Sequence, residues 1–158
     1  MNFISTFKKL LPIHEAYAHC DIPCGIYDPI AAKIAAQTVQ KMVIRIQALK
    51  QPGNEAERAA YDNSLSRYIS VKEDHAEICK KEIDILWHDY FKPEHLEAYP
   101  DLHNDVWNTT KLASKNKQTV DMDAAEQLVA GVDKIATAFW ASKGVEYSDP
   151  NEAVRFGS

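Results

Sequence analysis

The segment His19-Cys20-Asp21-Ile22-Pro23-Cys24 sets an imidazole and two thiols within a few positions of one another. Thiolate and imidazole are the donors that transition metals prefer. The Cys-x3-Cys spacing, with Pro23 inside it and Gly25 just after, lets a short loop curl so that both sulfurs reach one ion. Structural zinc sites usually want four ligands in two paired clusters, and no second Cys/His pair of suitable spacing follows downstream. Cys79 falls on an apolar helical stripe, where a buried, inert thiol is the expected role. Cys20, Cys24 and Cys79 are an odd set, which argues against a disulfide framework and for thiols kept reduced or bound to metal.

A further donor comes from the chain itself if its start is removed. Ala16-Tyr17-Ala18 resembles a cleavage site, and cutting after Ala18 frees the α-amine of His19. The amine and the backbone nitrogen of Cys20 then join the two thiolates in a planar set, which suits nickel or copper better than zinc. Thiolates reduce Cu(II), so nickel is the better redox candidate. Thiolates and a deprotonated amide favour Ni(III), and an axial His19 imidazole supports it further. Residues 1–18 therefore read as a removable leader. Their apolar patch, Leu10 to Ile13, is shorter than the 7–15 residue core a secretory signal needs, so export is the alternative.

The rest of the chain must position this head. Asp28 followed by Pro29 is a helix start, and Ile30, Ile34, Val39, Met42, Val43, Ile46 and Leu49 recur at helical spacing. "KQPGN" at 50–54 ends that helix. A longer one is expected from Glu55 to Tyr90, with Leu65, Tyr68, Ile69, Ala76, Cys79, Ile83 and Leu86 inward. A third should start at Pro100 and bury Leu102, Val106 and Leu112, with "SKNKQT" at 114–119 as a polar turn. A fourth runs from Val120 to Ser142 with Leu128, Val132, Ile135 and Phe139 on one face. Residues 143–158 show no period and are expected to be a flexible tail. Four apolar stripes joined by short connections predict an all-α, antiparallel four-helix bundle over 29–142, with a metal-binding hook at 19–28.

Composition sets the outer bounds. The apolar fraction of 46% and charged fraction of 26% are ordinary for a globular chain, and five glycines favour long helices over a turn-rich β fold. A net charge of −5 without a basic stripe excludes nucleic acid and anionic membrane as natural partners. No apolar run is long enough to cross a bilayer.

"HCDIPCGIYDP" resembles the amino-terminal hook of the nickel-containing superoxide dismutases, and "LWHDYFKPEHLEAYPDLH" at 86–103 resembles the same family. The resemblance covers roughly residues 19–142. It implies one nickel ion per subunit, cycling between Ni(II) and Ni(III) as superoxide becomes dioxygen and hydrogen peroxide. His19 would give its α-amine and imidazole, Cys20 its amide nitrogen and thiolate, and Cys24 its thiolate. Asp21 and Tyr27 match positions that shape the hook and the approach to the metal, and Pro23 matches a cis peptide. Tyr90 resembles a residue that approaches the site from a neighbouring subunit. The resemblance further implies a homohexamer, a leader-removing peptidase and a cytoplasmic enzyme.

One feature of the family is missing. Some members steady the axial imidazole with a glutamate–arginine pair, and the aligned positions here are Ala35 and His75. Trp87, Phe91 and Pro93 read as packing and turn residues. Trp87, Trp107 and Trp140 suit either the core or a subunit contact. Superoxide is an anion and the chain is acidic, so attraction must be local, with Lys92 as the sequence's candidate. Two other classes of function compete: a bundle that carries nickel, copper or zinc without turnover, and a helical interaction protein whose cysteines are incidental.

Overall fold

A computed structural model describes residues 25–157. The expectations for residues 1–18, His19, Cys20, Asp21, Pro23 and Cys24 concern positions outside the described residues. Among the described residues the regular structure is entirely helical. The order is α1 (Ile30–Gln47), α2 (Glu55–Ile85), a π-helical turn (Leu86–Tyr90), α3 (Pro93–Ala98), α4 (Leu102–Gln118), α5 (Met122–Ser142) and α6 (Glu152–Gly157).

The four long helices close a ring. α1 packs on α2 and α5, and α4 packs on α5 and α2, so each has two neighbours around a shared core. Val39 and Val43 of α1, Ala76 and Ile83 of α2, Leu102 of α4, and Leu128, Val132 and Phe139 of α5 are buried in it. Each large aliphatic or aromatic side chain so placed contributes about 1.5–3 kcal/mol of transfer free energy. Helices α4 and α5 also meet very closely: a methyl group on Gly131 would collide with the Thr109 side chain. Only glycine admits that approach.

Caps set the helix starts. The Asp28 carboxylate accepts from the Ile30 amide at 2.8 Å, with Pro29 between them, as the Asp-Pro pair predicted. Asn54 accepts from the Glu57 amide at 3.0 Å, while the Glu57 carboxylate accepts from the Gly53 amide at 2.7 Å. Asp121 caps α5 through the Ala124 amide at 3.2 Å.

The structure differs from the sequence expectation in four places. The inward face of α1 is set by Ala32, Ala35 and Ala36, whose small side chains let neighbouring helices approach, whereas Ile30 and Ile34 are exposed. The second long helix stops at Ile85, because Phe91 and Lys92 must become extended ahead of Pro93, and Leu86–Tyr90 widens into a π turn closed by the Phe91 amide on the Leu86 carbonyl at 2.9 Å.

The supposed polar turn at 114–119 is helical through Gln118. Its polar side chains are satisfied there rather than in a loop: Ser114 donates to the Thr110 carbonyl, and buried Asn116 donates to Leu112 and Ala124 carbonyls at 3.0 and 2.9 Å. The buried Lys72 ammonium donates to the carbonyls of Asn116 and Lys117, where the C-terminal end of α4 favours positive charge. Burial pulls the Lys72 pKa down from the ordinary lysine value.

The segment after α5, expected to lack regular structure, carries α6 and folds back on the bundle. Lys33, 1% exposed, binds Asp133 at 2.6 Å and Glu152 at 3.1 Å, and the Tyr147 hydroxyl donates to Asp133 at 2.8 Å. Burial and the Asp133 carboxylate push the Tyr147 pKa well up. A buried lysine without carboxylates would be costly, so the tail completes a charge cluster that α1 and α5 leave open.

Candidate metal centre

Where the head meets the bundle, Gly25 has φ of 89°, a conformation that side chains disfavour. Two residues further on, Tyr27 turns inward and packs against the core, with its hydroxyl buried. Asp28 and Pro29 then start α1. A positive-φ glycine, an inward tyrosine and a capped proline thus fix the chain's exit from the bundle directly after Cys24 in sequence.

Tyr27 meets Tyr90 there. Their ring centroids are 5.7 Å apart, inclined by 58°. The Tyr90 ring rests on Phe139 at 4.5 Å and Phe91 at 5.3 Å, and stacks on His95 at 5.4 Å with only 7° between planes. Its hydroxyl lies 2.6 Å from Ser142 Oγ. Ser142 spends its one hydroxyl hydrogen on the Phe139 carbonyl at 2.7 Å, so Tyr90 donates to Ser142 and keeps its lone pairs for acceptance. His95 is oriented in turn, because its Nδ1 accepts from the Lys92 amide at 3.0 Å.

A cation stands over this aromatic floor. Lys143 Nζ is 4.9 Å from the Tyr90 ring centroid and 5.0 Å from that of Phe139. It lies directly after α5, where the helix dipole favours positive charge, and the ring faces add a cation–π attraction. The sequence reading had pointed to Lys92 instead, which is exposed at the start of α3. Ser142, Lys143 and His95 were all missed. Their only signals were a Ser-Lys-Gly helix end and a histidine two residues after a proline, patterns common at any helix boundary.

The other sequence-nominated residues are placed as follows. Tyr27 and Tyr90 come together within one chain. Ala35 is buried, and His75 donates from Nδ1 to its own helix at the Val71 carbonyl, 2.8 Å away. Trp87 and Trp140 pack against the core, while Trp107 is 57% exposed under Lys111. Cys79 is fully buried, and burial pushes its thiol up to about 12, which leaves it protonated and inert. Among the described residues no cluster of three or more His, Cys, Asp or Glu is arranged to hold a metal. The sequence-nominated donors His19, Cys20 and Cys24 lie outside the described residues.

The family model for nickel-containing superoxide dismutase matches residues 14–143. The chain belongs to that family. The superoxide dismutase [Ni] of Streptomyces seoulensis is 36% identical over 139 residues, 86% of this chain and 96% of that protein. The enzyme of the same name from Streptomyces coelicolor is 36% identical over 126 residues, 80% of this chain and 88% of that one. A crystal structure of Ni-containing superoxide dismutase, with nickel ligation corresponding to the oxidized state, superposes with a TM-score of 0.69 at 34% identity, covering 80% of this chain and all of that one. The match to the nickel-containing superoxide dismutases begins ahead of His19 and stops at residue 143, so the tail that completes the Lys33 cluster lies outside it.

Proposed function

We propose that the chain converts superoxide to dioxygen and hydrogen peroxide at a nickel hook that cleavage before His19 completes. The observation that carries this reading is the family match over residues 14–143, which spans His19, Cys20 and Cys24. His19 would hold nickel by its α-amine and imidazole, Cys20 by its amide nitrogen and thiolate, and Cys24 by its thiolate. The bound metal supplies one-electron chemistry between Ni(II) and Ni(III), which serves both halves of the reaction: one superoxide gives up an electron and leaves as dioxygen, and a second gains one and takes up two protons as hydrogen peroxide.

The chain's own residues do the rest. Asp21 shapes the hook, and Gly25 and Pro29 fix where it leaves the bundle. Tyr27 and Tyr90 form its floor. Because Tyr90 gives its proton to Ser142, it acts by accepting a hydrogen bond from water or protonated product, and by holding Tyr27 in place. Lys143 offers local positive potential to an anionic substrate on a chain whose net charge is −5, with Lys92 a second, more exposed candidate. Ala35 and His75 stand where some members have a glutamate–arginine pair, and His75 is held by the Val71 carbonyl of its own helix.

Assembly as a homohexamer is supported by Ile30 on α1 and Trp107 on α4, large apolar residues left exposed. Processing by a leader-removing peptidase and action in the cytoplasm belong to the same proposal, with export after cleavage as the alternative. Among the described residues no helix is long and apolar enough to cross a membrane.

The test compares two nickel-loaded forms, one starting at His19 and one retaining Ala18. Superoxide removal and a rhombic Ni(III) paramagnetic signal in the first form alone are expected. Equal activity in both would remove the amine from the ligand set. Nickel bound without turnover in either would favour the metal-carrier reading.

A further inference from the structure

On the face of the bundle formed by α1 and α2, with α6 laid across it, a cavity of about 630 Å³ is lined by Lys41, Arg45, Arg67 and Arg155, and, among the described residues, by no carboxylate. That concentration of positive charge is unexpected on a chain of net charge −5. Arg155 is partly neutralised, since it binds Asp149 and also donates to Gln37 at 3.1 Å. Arg45 and Arg67 are exposed at the cavity, and no carboxylate among the described residues lies within ion-pairing range of either. The Arg45 guanidinium sits 6.0 Å from the Tyr68 ring centroid, and Lys41 donates to the Phe156 carbonyl at 2.8 Å.

The walls are of two kinds. Guanidinium forks, with Asn63 and Ser64 beside them, present planar donors suited to phosphate oxygens. Tyr68 and Phe156, with Met42 and Val71, supply apolar and aromatic surface. The volume falls within the range of about 300–1,000 Å³ typical of small-molecule sites. Arg155 and Phe156 come from the tail beyond residue 143, so this cavity depends on a segment outside the family match.

We infer that this cavity is a binding site for a small organic phosphate, with Arg45 and Arg67 holding the phosphate oxygens and Tyr68 and Phe156 flanking an aromatic or apolar body. It is separate from the Tyr27–Tyr90 site and shares no residue with it.

The experiment is calorimetric titration of the nickel-loaded chain with ATP and, separately, with inorganic tripolyphosphate, in buffer without free divalent metal. One ATP per chain is expected, weakening as salt rises and weakened about tenfold or more in the R45Q/R67Q variant. Phe156→Ala should weaken ATP but not tripolyphosphate. Superoxide removal should be unchanged in R45Q/R67Q. Absence of saturable ATP binding, or binding that R45Q/R67Q leaves intact, would overturn the proposal. Tripolyphosphate binding as tightly as ATP would overturn the role given to the aromatic walls. A change of oligomeric state in R45Q/R67Q without ATP binding by the parent would also overturn it, and would assign the cavity to contact with a second copy of the chain.

Discussion

Tyr27, at the foot of the head, and Tyr90, at the end of the π turn, lie with ring centroids 5.7 Å apart although 62 intervening residues separate them in the chain. The contact ties the exit of the head to the α2–α3 junction. It also links both to α5, because Tyr90 rests on Phe139 and donates to Ser142. The chain just ahead of α1 is therefore referenced to a wall made by three separate parts of the bundle.

Removing the Tyr90 hydroxyl tests that wall. Tyr90→Phe keeps the ring and loses one half-buried hydrogen bond, so stability should fall by about 0.5–1.5 kcal/mol in urea unfolding. Nickel content should be unchanged, while the rate of superoxide removal falls. Ser142→Ala should reproduce part of the rate loss. A rate equal to the parent in both variants would take the hydroxyl out of the site.

The Lys33 cluster makes a second prediction. Lys33→Met leaves Asp133 and Glu152 without their shared ammonium, and the loss should be about 2–3 kcal/mol, discounted because both carboxylates are partly exposed. Glu152→Gln removes one exposed partner and should cost no more than about 1 kcal/mol. Limited proteolysis should cut residues 143–157 faster in Lys33→Met than in the parent.

Asp121 supplies a pH dependence. Its carboxylate accepts from Lys115, and then from the Ala124 amide, and both hold its pKa below the usual aspartate value. The folded value lies below the unfolded one, so this contribution is complete above the ordinary carboxylate range and is lost as pH falls through the folded value. Glu77, bound by Lys117, behaves in the same sense. Asp121→Asn should lower the thermal midpoint at neutral pH and flatten the decline on acidification. A decline as steep as the parent's would exclude Asp121 as a contributor.

Thiol chemistry separates Cys79 from the other two cysteines. At neutral pH a disulfide reagent should label all three thiols in denaturant, but leave Cys79 unmodified in the folded, metal-free chain. Peptide mapping identifies the protected thiol. Rapid labelling of Cys79 in the folded chain would contradict its burial.

The sequence by itself determined where the four long helices begin to within about two residues, because apolar spacing, the Asp28-Pro29 start and the capping residues Asn54 and Asp121 act within a few residues of where they stand. It also nominated donors in the head, since His19, Cys20 and Cys24 carry side chains of the kind transition metals prefer. Only the tertiary structure decided which stripe faced inward. Ala32, Ala35 and Ala36 displaced Ile30 and Ile34 from the core because close helix approach outweighs the size of an isolated apolar side chain. It likewise decided that Asn116 and Lys72 belong inside: each is satisfied by carbonyls of a neighbouring element that no local pattern reveals. The Tyr27–Tyr90–Ser142 contact, Lys143 over its rings, and the tail's closure on Lys33 join residues distant in the chain, and such partners are fixed by the packing of the bundle.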